Sequence, residues 1–130
     1  MSSIESNRAH ESRRHMSENG YYTTPAPYGY SNSGHFSLNI VPHEAAVVKQ
    51  IFDWKTEYHY SYELIVDLLN GKGIKTKNNH YWSSSSIEYI LHNPVYMGKI
   101  RYDKMIYPGN HEPIISEEQF YKINSLSKVA

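Results

Sequence analysis

Apolar positions recur at helical spacing in four stretches of the chain. Val47, Val48, Ile51 and Phe52 form one stripe, and Leu64, Ile65, Leu68 and Leu69 a second. Ile87, Ile90 and Leu91 form a third, and Phe120, Ile123 and Leu126 a fourth. Each stretch carries start or stop signals. Pro42 suits the first turn of a helix, where its missing N–H would be unpaired anyway, and Glu44 follows near the positive end of the helix dipole. That helix is predicted to run to about Tyr58. Ser61 can cap the second helix, with Glu63 in its first turn and Asn70-Gly71 as its stop. Ser83 can cap the third. Pro94 disfavours helical geometry at Asn93, so this helix should end near His92. Ser116, with Glu117 and Glu118 behind it, opens the fourth.

Alternation marks the remaining regular structure. "FSLNIV" (36–41) alternates weakly and reads as a short strand. "GKIRYDKMIY" (98–107) holds two strand-like runs pivoting near Asp103-Lys104, which predicts a hairpin. The Pro-, Gly- and Tyr-rich stretch from Gly20 to Gly34 reads as a loop. Residues 3–19 are polar with almost no stripe to bury, which describes a helix needing a partner or the tail of a longer one. The order helix, basic connector, helix, hairpin is that of a winged helix-turn-helix. The expected fold is therefore α+β: a small, helix-dominated, winged helix-turn-helix-like domain with a short β-hairpin or sheet. The connector from Gly71 to Trp82 is longer than a simple helix-turn-helix allows, so it must hold an extra helical turn or belong to a variant.

Composition narrows the chemistry. The 130 residues suffice for one domain with a modest core. Thirteen Lys and Arg balance thirteen Asp and Glu, so overall charge does not decide whether a polyanion is the partner. The absence of cysteine excludes disulfides and thiolate zinc sites in this chain and fits a cytoplasmic location. No apolar run approaches a membrane span. The eight histidines show no metal-binding spacing, so no metal or cofactor is expected. Ser83 to Ser86 have no neighbouring Asp to activate a nucleophile, and no catalytic residue is expected. Trp82 should staple the third helix to the core. Asn93 and His111-Glu112 should fix turns by hydrogen bonding.

Several short motifs carry a resemblance together. "PYGY" (27–30), "EAAVVKQIF" (44–52), "LLNGKGIKT" (68–76), "YWSSSSIEYILHNPVYMGKIRY" (81–102) and "GNHEPIISEEQF" (109–120) resemble, in order and spacing, the recombinase domain of large serine recombinases. That family includes phage integrases and transposon resolvases. The similarity covers roughly residues 13 to 126. It implies sequence-specific binding of double-stranded DNA at an attachment or recombination site. It also implies a parent protein that works as a dimer or tetramer on DNA, with its serine nucleophile in a separate N-terminal domain and a zinc ribbon usually following. Residues 1–20 then correspond to the end of an interdomain linker helix, 21–126 to the recombinase domain and 127–130 to a tail.

Within that frame, Lys72, Lys75 and Lys77 have no carboxylate nearby in sequence and form either a solvated loop or a phosphate clamp. Lys75, Lys77, Ser83 and Ser84 are expected to meet phosphates. Asn78, Asn79, His80, Ser85 and Tyr89 are the candidates for base edges, because amide, imidazole and hydroxyl groups match the donors and acceptors of the major groove. Arg13 and Arg14 either track the backbone, enter a minor groove or lie in a solvated terminus. The alternative reading is a protein-interaction domain, in which the thirteen tyrosines and the C-terminal helix bind protomers or an accessory factor.

Overall fold

The structure, a computed structural model, describes residues 12–20, 22, 24–34 and 37–124. A first helix, α1, covers 12–18. Strands β1 (Tyr30–Asn32) and β2 (Leu38–Ile40) form an antiparallel pair with Ser31 opposite Asn39. Helices α2 (Pro42–Glu57), α3 (Tyr62–Gly71) and α4 (Ser84–Leu91) follow, then a 3-10 turn (Pro94–Met97). Strands β3 (Lys99–Tyr102) and β4 (Met105–Pro108) make a second antiparallel pair, and a short α5 (Glu117–Tyr121) comes last. The result is a helix-dominated α+β fold with two separate two-stranded sheets. Among the described residues no helix is long and apolar enough to cross a membrane.

The caps explain where the helices begin. Ser61, Ser83 and Ser116 each accept the backbone N–H three residues on, from Leu64, Ser86 and Gln119. Pro42 opens α2 without a side-chain cap. The connector after α3 has no helical turn. It is instead a tight loop closed by Thr76 N–H donating to His80 O at 2.9 Å, so the domain is a long-connector variant of the winged arrangement. At the β3–β4 turn Asp103 and Lys104 both have positive φ (53° and 69°), which keeps a two-residue hairpin in step with the twist of its strands.

One apolar cluster joins the elements. Val48, Ile51 and Phe52 of α2 meet Ile65 and Leu69 of α3 and Ile87, Ile90 and Leu91 of α4. Trp82 is buried in the same cluster, as expected of a staple. The predicted α3 face was too wide: Ile65 and Leu69 are buried, but Leu64 is 40% exposed. Tyr62, Val66 and Leu68 pack partly against the core beside Ile65 and Leu69, which leaves Leu64 on the flank. Residues 94–97, unread as structure, are all buried. Asn93 starts that turn by accepting from Val95 N–H at 3.0 Å. α5 stops at Tyr121, so Ile123 follows the helix, and Leu126 lies outside the described residues.

Buried polar groups are paired nearly throughout. Tyr30 and Tyr96 are fully buried and stack at 6.1 Å. Their hydroxyls donate to Glu112 O at 2.6 Å and Tyr28 O at 2.5 Å. Burial raises both phenols above the ordinary tyrosine range. His111 lies edge-on to Tyr30, and its Nε2 bonds the Val95 carbonyl at 2.7 Å, so this nitrogen carries the proton. Burial lowers the His111 pKa, partly offset by the Val95 hydrogen bond. The unfolded chain therefore takes up a proton near the ordinary value of about 6.5 while the folded chain resists it. Stability from this residue is complete above that pH and declines as the pH falls below it. Thermal melts between about pH 5 and pH 7 should show the decline in the wild-type chain, and His111→Gln should flatten it.

Candidate nucleic-acid interface

α4 begins at a fixed point. The Asn70 side chain accepts from Trp82 N–H at 2.9 Å and donates to Trp82 O at 3.2 Å, which anchors the end of the connector. Ser83 then caps the helix, and Ser86 Oγ reaches back to Ser83 N–H at 2.9 Å, completing a capping box with serine in place of the usual Glu or Gln. Ile87, Ile90 and Leu91 face inward, so Ser84, Ser85, Glu88 and Tyr89 are exposed, Tyr89 by 63%.

That exposed face forms one wall of an open groove of about 740 Å³. Arg13 of α1 and Lys99 and Arg101 of β3 complete it, beside Ser85 and Tyr89. Its lining holds three Lys or Arg cations against a single carboxylate, Glu88. Lys99 is half-committed, with Glu117 at 3.1 Å. Arg101 is exposed and forms no ion pair with a described residue. Sequence reasoning missed both cations. The signal was present, because alternation in "KIRY" places Lys99 and Arg101 on the face opposite the buried Ile100.

The structure thus brings Arg13, Ser85 and Tyr89 together. Arg14 is exposed but does not line the groove, and neither do Lys75, Lys77, Asn78, Asn79, His80, Ser83 or Ser84. Most of these sit on the connector loop. Asn78, Asn79 and His80 are exposed at its tip, with Asn79 at φ 62°. Lys75 lies 3.4 Å over the ring of Tyr81, which is 71% exposed. Lys72 stands over Trp54. The connector lysines have no carboxylate nearby in sequence, but Lys77 Nζ is 2.7 Å from Glu44 Oε1. Thirty-three residues separate the pair, so no local pattern could reveal it.

Among the described residues, the hydroxyls of Ser33, Ser61, Ser83, Ser86 and Ser116 bond backbone groups or another serine. No three His, Asp or Glu side chains gather to hold a metal among the described residues.

A small α+β unit with two packed helices, a long connector and a β-hairpin wing defines a class of domain found in recombinases. The family model described as Recombinase matches residues 42–128, and the chain belongs to this family, as the recombinase domain of the large serine recombinase group. A solved structure titled for the sequence requirements of the Listeria innocua prophage attP site is 31% identical, with a TM-score of 0.77, over 89% of this chain and 49% of that one. A second, titled as a complex of a large serine recombinase with DNA, is 31% identical, with a TM-score of 0.74, over 89% of this chain and 37% of that one. The chain therefore spans half or less of the length of these relatives.

Proposed function

We propose that this domain binds double-stranded DNA at the attachment or recombination site of a large serine recombinase. The observation that carries the reading is the groove lined together by Arg13, Arg101, Ser85 and Tyr89. The cations meet phosphates and position the duplex, while the hydroxyls meet base edges. Ser83 and Ser84 at the start of α4 bring its dipole-positive end toward a phosphate, and Lys75, over the Tyr81 ring, adds charge from the connector. Asn78, Asn79 and His80 extend the contact along the connector, and Arg14 follows the backbone outside the groove. Both relatives described above come from studies of recombination-site DNA or of a DNA complex, which supports the reading.

The rest of the reading concerns the parent protein. Strand exchange belongs to a serine nucleophile outside this chain, in a cytoplasmic protein that assembles as a dimer or tetramer on its sites. Residues 12–20 close the linker from that catalytic domain and the DNA-binding unit follows from residue 21; residues 1–11 and the 127–130 tail lie outside the described residues. A second reading, a protein-interaction surface, draws on the exposure of Tyr81 and Tyr89.

Salt separates the two. Fluorescence anisotropy with a labelled duplex of random sequence should show binding that weakens steeply with salt. Arg101→Ala should lower the slope of log affinity against log salt by about 1, since one counterion-releasing contact is gone. An unchanged slope removes Arg101 from the interface. No binding at any salt favours the protein-interaction reading.

A further inference from the structure

We propose that Glu44 is the positioning residue of the connector loop: through Lys77 it fixes where the Asn78-Asn79 tip stands against DNA. The inference deepens the DNA-binding reading and rests on it for the role of the tip, though not for the tether itself.

Glu44 lies in the first turn of α2 and is 9% exposed. Its Oε1 accepts from Gly29 N–H at 2.9 Å and from Lys77 Nζ at 2.7 Å. A carboxylate held by a backbone N–H at the positive end of a helix is a fixed, already oriented acceptor. Lys77 is drawn to it across the fold. The Lys77 side chain is 32% exposed and that of Glu44 12%, so solvent screens the pair less than an open surface bridge.

The loop needs such a tether. Thr76 N–H to His80 O, Asn79 N–H to Thr76 O and His80 N–H to Thr76 Oγ1 make its tip rigid within itself. None of those bonds attaches the tip to the rest of the domain. Between Gly71 and Tyr81 no side chain is fully buried, and Ile74 is the apolar residue packed against the core. Asn70 anchors the far end at Trp82. The Glu44–Lys77 pair is the second anchor, and the tip lies between the two. A lysine already neutralised by a carboxylate releases no counterion on meeting a phosphate. Lys77 therefore acts through the loop and not as a phosphate ligand, and the salt slope distinguishes the two roles.

The test uses the 130-residue chain and its variants Glu44→Gln, Lys77→Met, Lys77→Arg and the Glu44→Gln/Lys77→Met double. Glutamine keeps an acceptor for Gly29 and loses the charge. Without DNA, amide hydrogen exchange at Asn79 and His80 should accelerate equally in Glu44→Gln and Lys77→Met. The double should be no faster, Lys77→Arg should match wild type, and exchange in α2 and α4 should be unchanged. With a fluorescein-labelled duplex of random sequence, both single variants should bind roughly two- to fivefold more weakly, the range set by an ion pair of this kind, with no change in salt slope. Unaltered exchange in Glu44→Gln overturns the tether. A Lys77→Met slope lower by about 1, together with tighter binding by Glu44→Gln, overturns the positioning role and makes Lys77 a phosphate contact that Glu44 competes for. A wild-type chain that binds no duplex removes the DNA reading, an outcome the exchange measurement separates from failure of the tether.

Discussion

Leu91→Ala should lower the unfolding free energy by about 2–5 kcal/mol, the range for truncating a fully buried leucine. Leu91 is the last residue of α4 and has no exposed surface. It sits with Ile87 and Ile90 in the cluster shared with α2 and α3. Its carbonyl also accepts from Asn124 Nδ2 at 2.9 Å, so the stretch just after α5 is tied to the same point. Removing the isopropyl group leaves a cavity walled by the packed faces of α2, α3 and α4, and such a site collapses poorly. Urea denaturation measures the loss. Tyr89→Ala is the control: its ring is 63% exposed on the opposite face, and its stability effect should stay within about 0.5 kcal/mol. A near-neutral Leu91→Ala would mean that the serine-led stretch is a tether and not a packed helix.

The second large effect belongs to recognition. Tyr89→Ala should cost roughly 1–3 kcal/mol on the cognate site, a loss of about five- to 150-fold, and much less on random duplex. The salt slope should stay unchanged, because a phenol hydroxyl neutralises no phosphate. Arg101→Ala should do the reverse, weakening all duplexes alike and lowering the slope. The contrast follows from the groove, which Tyr89 lines together with the cations of α1 and β3. Anisotropy across a salt series, on a site selected from a random pool, reads both quantities at once. Equal losses on cognate and random DNA would make Tyr89 a backbone contact.

The helices were legible because their signals are local. A serine accepting from three residues on needs only its own turn, and Ser61, Ser83 and Ser116 all do so. The hairpin pivot at Asp103-Lys104 was equally local. β1 was not legible. Tyr30–Asn32 is three residues in a Pro- and Gly-rich stretch, and it becomes a strand only by pairing with β2. The 3-10 turn at 94–97 was hidden for a related reason. Asn93-Pro94 marks the end of α4, but the turn after it is shaped by Asn93 and by burial of all four of its residues. In the candidate site, the α4 face could be read from periodicity alone. The Glu44–Lys77 pair could not, since a basic run in sequence does not show which carboxylate the fold delivers to it. Lys99 and Arg101 were readable as the exposed face of a strand, but only the fold sets that strand beside Arg13 and Tyr89.

The most direct measurement is an NMR titration of the chain with a duplex selected from a random pool. Chemical-shift changes are followed for backbone amides and for the Arg side-chain N–H groups. Binding through the groove predicts the largest changes at Arg13, Ser85, Tyr89 and Arg101, with smaller ones at Asn78, Asn79 and His80 on the connector. Saturable binding that leaves those groove residues unperturbed, with changes gathered instead around the exposed Tyr58 and Leu64, which do not line the groove, would contradict it.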